Sequence, residues 1–225
     1  MLLYRFRPFN QHTITELLTE KLHFSHPSTW NDPFEWSLLT PIYKGQDTGH
    51  RYACFAENLT KIEVDIFQNI LMWSHYADSH KGICIEYEYD FEPDYTKQFT
   101  VGIYTRNYQD KYPGVYMSSK MFYKATPYTP LAHKHKCWQY EYEYRMWLGS
   151  KYISCTKNTN FQGINIPYSE IGLKIKAIYC GVKFEESQIE TLKLIKGKRD
   201  FAIFTGTVEN YASIKFTNSG AVERT

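Results

Sequence analysis

Two stretches of strict alternation constrain this chain most: Ile83-Cys84-Ile85-Glu86-Tyr87-Glu88-Tyr89 and Tyr140-Glu141-Tyr142-Glu143-Tyr144-Arg145-Met146. A period of two marks a strand whose faces differ, because successive side chains point to opposite sides of a sheet. Each run gathers its charges on one face and its apolar or aromatic residues on the other, which predicts strands with one solvated side. The second run brings Glu141, Glu143 and Arg145 onto one face, with its two carboxylates roughly 7 Å apart along the backbone. Aromatic residues are 17% of the 225, including 20 tyrosines. That composition favours strands and polar-edged pockets over a helix bundle.

Other elements follow from local signals. Leu2 to Phe6 reads as a first strand, and Thr13-Ile14-Thr15-Glu16 matches a capping box opening a helix that ends near Lys21. Its apolar side is Ile14, Leu17, Leu18 and Leu22. A strand from Leu22 to Ser25 stops at Pro27, and Asn31, Asp32 and Pro33 favour a tight turn. A strand at Arg51 to Ala56 precedes a helix at Glu63 to Tyr76, with Ile66, Phe67, Ile70 and Leu71 facing the core. The Pro- and Tyr-rich connection from Glu92 to about Lys136 suits loops and short strands. Beyond lie a strand near Lys174 to Cys180, a helix at about Glu185 to Lys196, and strands near Phe201 to Val208 and Tyr211 to Phe216. The expected fold class is therefore α+β, a mixed, mainly antiparallel split sheet with a few flanking helices. With no repeat and no low-complexity linker, one domain over residues 1–225 is expected.

Several function classes are disfavoured. With 26 basic and 24 acidic residues the net charge is +2, too small to demand duplex DNA or anionic lipid. Met1-Leu2-Leu3-Tyr4-Arg5 is interrupted by charge too early to form a secretion signal, and no window approaches the roughly 20 apolar residues of a membrane span. The five cysteines are odd in number and lack CxxC spacing, so reduced thiols in a cytoplasmic protein are expected in place of a disulfide framework or structural zinc.

Three segments could carry chemistry. On the Glu141/Glu143/Arg145 face, like charges would raise the pKa of one carboxyl while Arg145 kept a neighbour ionised, separating acid from base; the alternative is an outward amphipathic strand. In Met72-Trp73-Ser74-His75-Tyr76-Ala77-Asp78-Ser79-His80-Lys81-Gly82, Trp73 and Tyr76 could sandwich a planar ring. Alternatively Trp73 packs in the core, Tyr76 ends the helix and Gly82 supplies an unusual backbone angle. In Phe24 to Phe34, Ser25, Asn31 and Asp32 cluster where a strand end could bind polar ligands, while Tyr4, Arg5 and Arg7 form a cationic fork suited to phosphate. No metal is expected: His23-Phe24-Ser25-His26 and His133-Lys134-His135-Lys136-Cys137 lack zinc spacing, and the lysines oppose a cation. Cys84 or Cys137 with His75 could form a nucleophile pair, although a buried structural cysteine is simpler. Lys196-Gly197-Lys198-Arg199-Asp200 reads as a solvated turn after a helix.

Together, Leu3-Tyr4-Arg5-Phe6, Phe24-Ser25-His26-Pro27 with Trp30-Asn31-Asp32-Pro33-Phe34, Met72-Trp73-Ser74-His75-Tyr76 with Gly82, and Trp138-Gln139-Tyr140-Glu141-Tyr142-Glu143-Tyr144-Arg145 resemble a widespread bacterial family of unknown function over about residues 2–148. The order of elements is also distantly similar to that of ADP-ribosyltransferases, which use an Arg or His on the first strand, a Ser or Tyr on the second and a Glu on a later one. That resemblance implies catalytic roles for Glu143, Glu141 and Arg5: the second glutamate polarises the nicotinamide ribose, and the first orients the acceptor. It also implies NAD as substrate, without metal, bound by Tyr4, Arg5, Ser25, Asn31, Asp32, Trp73, His75, Tyr76 and Arg145. The long Glu92–Lys136 connection and the Asn31-Asp32-Pro33 turn depart from the pattern.

The leading functional expectation is thus an NAD-consuming ADP-ribosyltransferase or NAD glycohydrolase, acting in the cytoplasm as a toxin or phage-defence effector. Its partner would be a small-molecule nucleotide, with a protein or nucleic acid as acceptor and no membrane. The alternatives are a nuclease or phosphodiesterase built on His75, His80, Glu141 and Arg145, and a non-catalytic nucleotide-sensing or interaction module.

Overall fold

A computed structural model of the chain describes residues 1–32, 51–57, 65–90, 101–105, 107–109, 133–148, 163–211 and 213–219. In chain order the elements are β1 (Leu2–Arg7), α1 (Gln11–Thr19), β2 (Lys21–Ser25), β3 (Arg51–Ala56), α2 (Ile70–Tyr76), β4 (Ile83–Tyr89), β5 (Val101–Thr105), β6 (Asn107–Gln109), β7 (His133–His135), β8 (Glu143–Leu148), β9 (Gly163–Pro167), β10 (Leu173–Cys180), α3 (Glu186–Lys196), β11 (Ala202–Asn210) and β12 (Ser213–Asn218). Short 3₁₀ helices occupy Pro27–Thr29, Ile66–Gln68, Lys136–Glu141 and Tyr168–Ile171. The fold is α+β, a mixed, mostly antiparallel open sheet with few helices. No helix among the described residues is long and apolar enough to cross a membrane.

The backbone gathers into two compact units. One comprises Met1–Lys21, Phe55–Phe91 and Pro167–Thr225, the other Leu22–Cys54 and Glu92–Ile166. Each is assembled from separated segments, so no composition shift along the chain marks where one gives way to the other.

In the first unit the strands run β12-β11-β10-β4-β1, with Ala56 at the end of β3 opposite Tyr4 of β1. All these pairs are antiparallel except β10 with β11. That parallel pair needs a crossover, which α3 supplies. Strand β4 lies between β1 and β10 and is buried at every position except Glu88. This corrects the expectation of one solvated face: Glu86 lies buried, accepting a hydrogen bond from the Tyr179 hydroxyl at 3.2 Å. The core beneath is Leu3, Phe6, Leu17, Trp73, Ile85, Ile178 and Leu192, all buried.

The helices depart from expectation at their ends. Asn10, not Thr13, caps α1, its side chain accepting the Thr13 N–H at 3.1 Å. Glu16 is thereby released from the proposed capping box and points inward. The expected helix at Glu63–Tyr76 is broken: Asn69 closes the 3₁₀ helix Ile66–Gln68 and caps α2 through the Met72 N–H. The break turns Ile70 and Leu71 outward, each 47% exposed, against the expected core position. Gln68 in the 3₁₀ turn uses its amide to satisfy both backbone groups of Ile214 on β12, at 2.9 and 2.8 Å, a cover for an edge strand.

Gly82 serves close approach. A Cβ there would stand 2.2 Å from the Arg7 carbonyl oxygen. The left-handed backbone lies just before it instead, at Asp78, Ser79 and His80 (φ 46, 54 and 71°), which corrects the reading of Gly82 as the source of an unusual angle.

In the second unit β9, β2 and β3 are successive neighbours, β8 pairs with β3 and β5, and β6 with β7 form a parallel two-stranded ribbon. Ser25 stands opposite Tyr52. The described parts of the Glu92–Lys136 connection are short strands, as its prolines and tyrosines suggest. Strand β9 carries no sequence signal noted above.

Candidate functional site

The second unit buries a compact set of charges. Lys134, Glu141, Glu143 and Arg145 are each at most 4% exposed. Strand β7 carries Lys134; the 3₁₀ helix Lys136–Glu141 follows at once, capped by His135, whose Nδ1 accepts the Cys137 N–H. Expected as one strand from Tyr140 to Met146, this segment changes conformation at Tyr142, which is left-handed (φ 44°, ψ 48°), and only Glu143 onward is extended. The correction has a geometric consequence: the turn at Tyr142 swings Glu141 and Glu143 onto one cation. Lys134 Nζ donates to Glu141 Oε2 at 2.5 Å and to Glu143 Oε2 at 3.0 Å.

Arg145 completes the set. Its Nε and Nη2 both reach Glu143 Oε1, at 2.7 and 2.5 Å. Its guanidinium lies 4.0 Å from the centroid of the Trp30 ring, a cation–π contact, and Trp30 packs edge-on against Tyr52 at 5.3 Å. The Trp30 indole N–H is buried with no partner among the described residues. Lys134 similarly stands 5.1 Å from the Trp138 ring centroid. Cys54 hydrogen-bonds Glu143; burial first, and that carboxylate second, push its thiol up to about 12. Glu143 thus has two cations at hydrogen-bond distance.

Two carboxylates and two cations balance, yet each left water to be there. Desolvating an ion costs several kcal/mol, which pairing offsets only when the geometry is good. Glu141, Glu143 and Arg145 thus do come together, facing inward and not into solvent. Lys134 was missed. The alternation His133-Lys134-His135 was the available signal, since it sets the lysine on the face opposite both imidazoles, but nothing local shows that face to be buried.

The remaining candidates have partners of their own. In the first unit Arg5 Nη1 donates to both Glu16 oxygens, at 3.1 and 3.3 Å. Tyr87 and Tyr168 hydroxyls donate to Glu16 Oε1 at 3.0 and 3.2 Å. Burial, then Glu16, raises both tyrosines. Arg7 is lowered, first by Arg5 and then by burial. The cationic fork is therefore tied to an internal carboxylate. Tyr4 packs edge-on to Phe67 at 5.3 Å. Trp73 is fully buried, its N–H donating to the Phe67 carbonyl and its ring flanked by Phe6, His80 and Phe216. His75 is exposed and Tyr76 half-buried at the end of α2. His80 lies 3.3 Å from Ser74 Oγ through Nε2, and its pKa is lowered by burial and then by Lys183.

In the second unit Ser25 donates its hydroxyl to the Tyr52 carbonyl at 3.3 Å, Asn31 is exposed and Asp32 is 2% exposed. His26 turns the chain there, Nδ1 accepting the Ser28 N–H. Pro33 and the rest of that turn lie outside the described residues. Among the described residues no group of three or more His, Cys, Asp or Glu is placed to hold a metal ion. Of the cysteines, Cys54, Cys84, Cys137 and Cys180 are free thiols, and Cys155 lies outside the described residues.

A mixed, mostly antiparallel α+β protein with a buried, charge-balanced acid pair is what fold and site define. Residues 72–146 match the model of a family described as Protein of unknown function (DUF2971), consistent with the expected uncharacterised family but over a shorter span than residues 2–148, so the motifs at Leu3–Phe6 and Phe24–Phe34 fall outside the match. That segment runs from α2 to β8 and contains Lys134, Glu141, Glu143 and Arg145. No curated protein and no solved structure matches the chain.

Proposed function

We propose that the protein consumes NAD, as an ADP-ribosyltransferase or NAD glycohydrolase in the cytoplasm, with Glu143 as its central catalytic group. The observation that carries this reading is the inward pairing of Glu141 and Glu143 on Lys134, with Arg145 fixing the second carboxylate. Ionisable groups drawn together and out of water recur at functional sites as well as in structural ion-pair networks.

The chemistry follows from charge. When the bond between the ribose C1′ and the nicotinamide nitrogen breaks, its electron pair leaves with nicotinamide, which departs neutral, and positive charge develops on the ribose. An ionised, oriented carboxylate beside the ribose hydroxyls stabilises that charge. Glu143 has the orientation, imposed by two donors from Arg145 and one from Lys134. Glu141, sharing the same lysine, accepts the proton that the incoming water or acceptor group loses. The unpartnered Trp30 N–H offers a donor to an oxygen of the bound nucleotide. The ADP-ribosyltransferase-like arrangement of the split sheet and the role as toxin or phage-defence effector belong to the same proposal.

Purified protein incubated with NAD is expected to release nicotinamide, and Glu143→Gln to slow that release by about 10²–10³-fold, the usual effect of deleting one electrostatic stabiliser. Intact NAD after incubation with the wild type would set the proposal aside.

A further inference from the structure

Both oxygens of Glu143 are already taken. Arg145 holds Oε1 through Nε and Nη2, and Lys134 holds Oε2 at 3.0 Å. The same ammonium takes Glu141 Oε2 at 2.5 Å. A catalytic carboxylate has to come within hydrogen-bond reach of the group it acts on, and here all four side chains are at most 5% exposed.

The two cations reach Glu143 from different places. Arg145 stands two residues along β8 from Glu143, so its grip travels with the carboxylate. Lys134 reaches across from β7, which among the described residues pairs only with β6, in a three-residue ribbon separate from the sheet that contains β8. A lone two-stranded pair is marginal in water. A lysine ammonium is also a point donor on a flexible four-carbon stem, whereas the arginine fork is rigid. Of the two donors, Lys134 is the one built to withdraw.

We propose that Lys134 is an autoinhibitory contact: its ammonium fills the place of a ribose hydroxyl donor on Glu143 Oε2, and the site opens when the lysine is displaced. The inference rests on the reading of Glu143 as the group that acts on NAD. Opening leaves Oε1 with Arg145 and presents Oε2 to the ribose, and the same withdrawal releases Glu141 Oε2 to the incoming water or acceptor. Lys134 then slows turnover, the opposite of what a supporting or catalytic lysine does.

Two measurements on the full chain test this. Lys134→Met keeps an apolar stem and removes the donor, and its turnover of NAD is expected to exceed that of the wild type by about tenfold, the worth of one hydrogen bond to a charged group. Lys134→Arg, which keeps a charged donor, is expected to be no faster than the wild type. Removing one partner of a buried ion pair destabilises a fold, so the second measurement uses the unaltered protein. With a carbocyclic NAD analogue bound, amide hydrogen exchange at Asn107–Gln109 and His133–His135 is expected to speed up, whereas a purely structural lysine leaves these amides equally or better protected. Wild type that consumes NAD, together with a folded Lys134→Met that is no faster or a ribbon whose exchange does not rise, would overturn the autoinhibitory role alone. NAD left intact by both wild type and Lys134→Met would overturn it together with the reading of Glu143.

Discussion

Lys134 holds the candidate site together, since a single ammonium takes both carboxylates at 2.5 and 3.0 Å. Its half-buried neighbour Cys54 has its thiol pushed up to about 12, first by burial and then by the Glu143 carboxylate. Cys180 is pushed up to about 12 by burial, and Cys84 is raised as well, whereas Cys137 is exposed. A thiol reacts as its thiolate and only where a reagent can reach it. Of these four, the exposed Cys137 should therefore be labelled first by a maleimide in the native protein, with the half-buried Cys54 slower and the buried Cys84 and Cys180 slowest, as peptide mapping by mass spectrometry would show; labelling of Cys84 or Cys180 as fast as that of Cys137 would contradict this order. His80 makes a pH prediction of definite sign. Burial and then Lys183 lower its pKa below the ordinary 6.5, so the neutral imidazole is the form the fold favours. Its contribution is complete above about pH 6.5 and declines as pH falls through the folded-state value. Thermal melts from pH 8 to 5 should show wild type losing stability relative to His80→Gln on the acidic side; a gap independent of pH would count against it.

Elements were legible where local physics decides them and illegible where a distant partner does. Strands β1, β2, β3, β4 and β10 and helix α3 stand close to their expected positions, because alternation and apolar spacing are set within a few residues. The local pattern misplaces the start of α1, since Thr13-Ile14-Thr15-Glu16 has the form of a capping box, while Asn10, three residues earlier, makes the bond. Glu16 is free for tertiary work as a result. It joins β1, α1, β4 and the 3₁₀ helix at Tyr168 through Arg5, Tyr87 and Tyr168. Removing its charge leaves a buried guanidinium short of its counterion, and Glu16→Gln should cost about 3 kcal/mol, which corresponds to a fall of roughly 10 °C in melting temperature for a chain of this size. A change of only a degree or two would show that the network matters little. At the site, period two correctly grouped Glu141, Glu143 and Arg145, but the left-handed Tyr142 and the approach of Lys134 depend on packing that no local pattern encodes.

For the whole molecule, two units built from interleaved segments each bury their own charged network: Arg5 with Glu16 in the first, Lys134, Glu141, Glu143 and Arg145 in the second. The first ties neighbouring elements of one sheet, and its tyrosines and arginine saturate the carboxylate. The second lies within the segment that matches an uncharacterised family and is placed by a strained turn, as functional groups often are. The first network thus serves stability, and the proposed chemistry belongs to the second. The most direct test follows the anomeric proton of the nicotinamide ribose in NAD by NMR, with wild type and Glu143→Gln compared at a temperature where both are folded. Decay of that signal with the wild type and its persistence with the variant are predicted; persistence with both, or equal decay with both, would contradict the assignment of chemistry to Glu143.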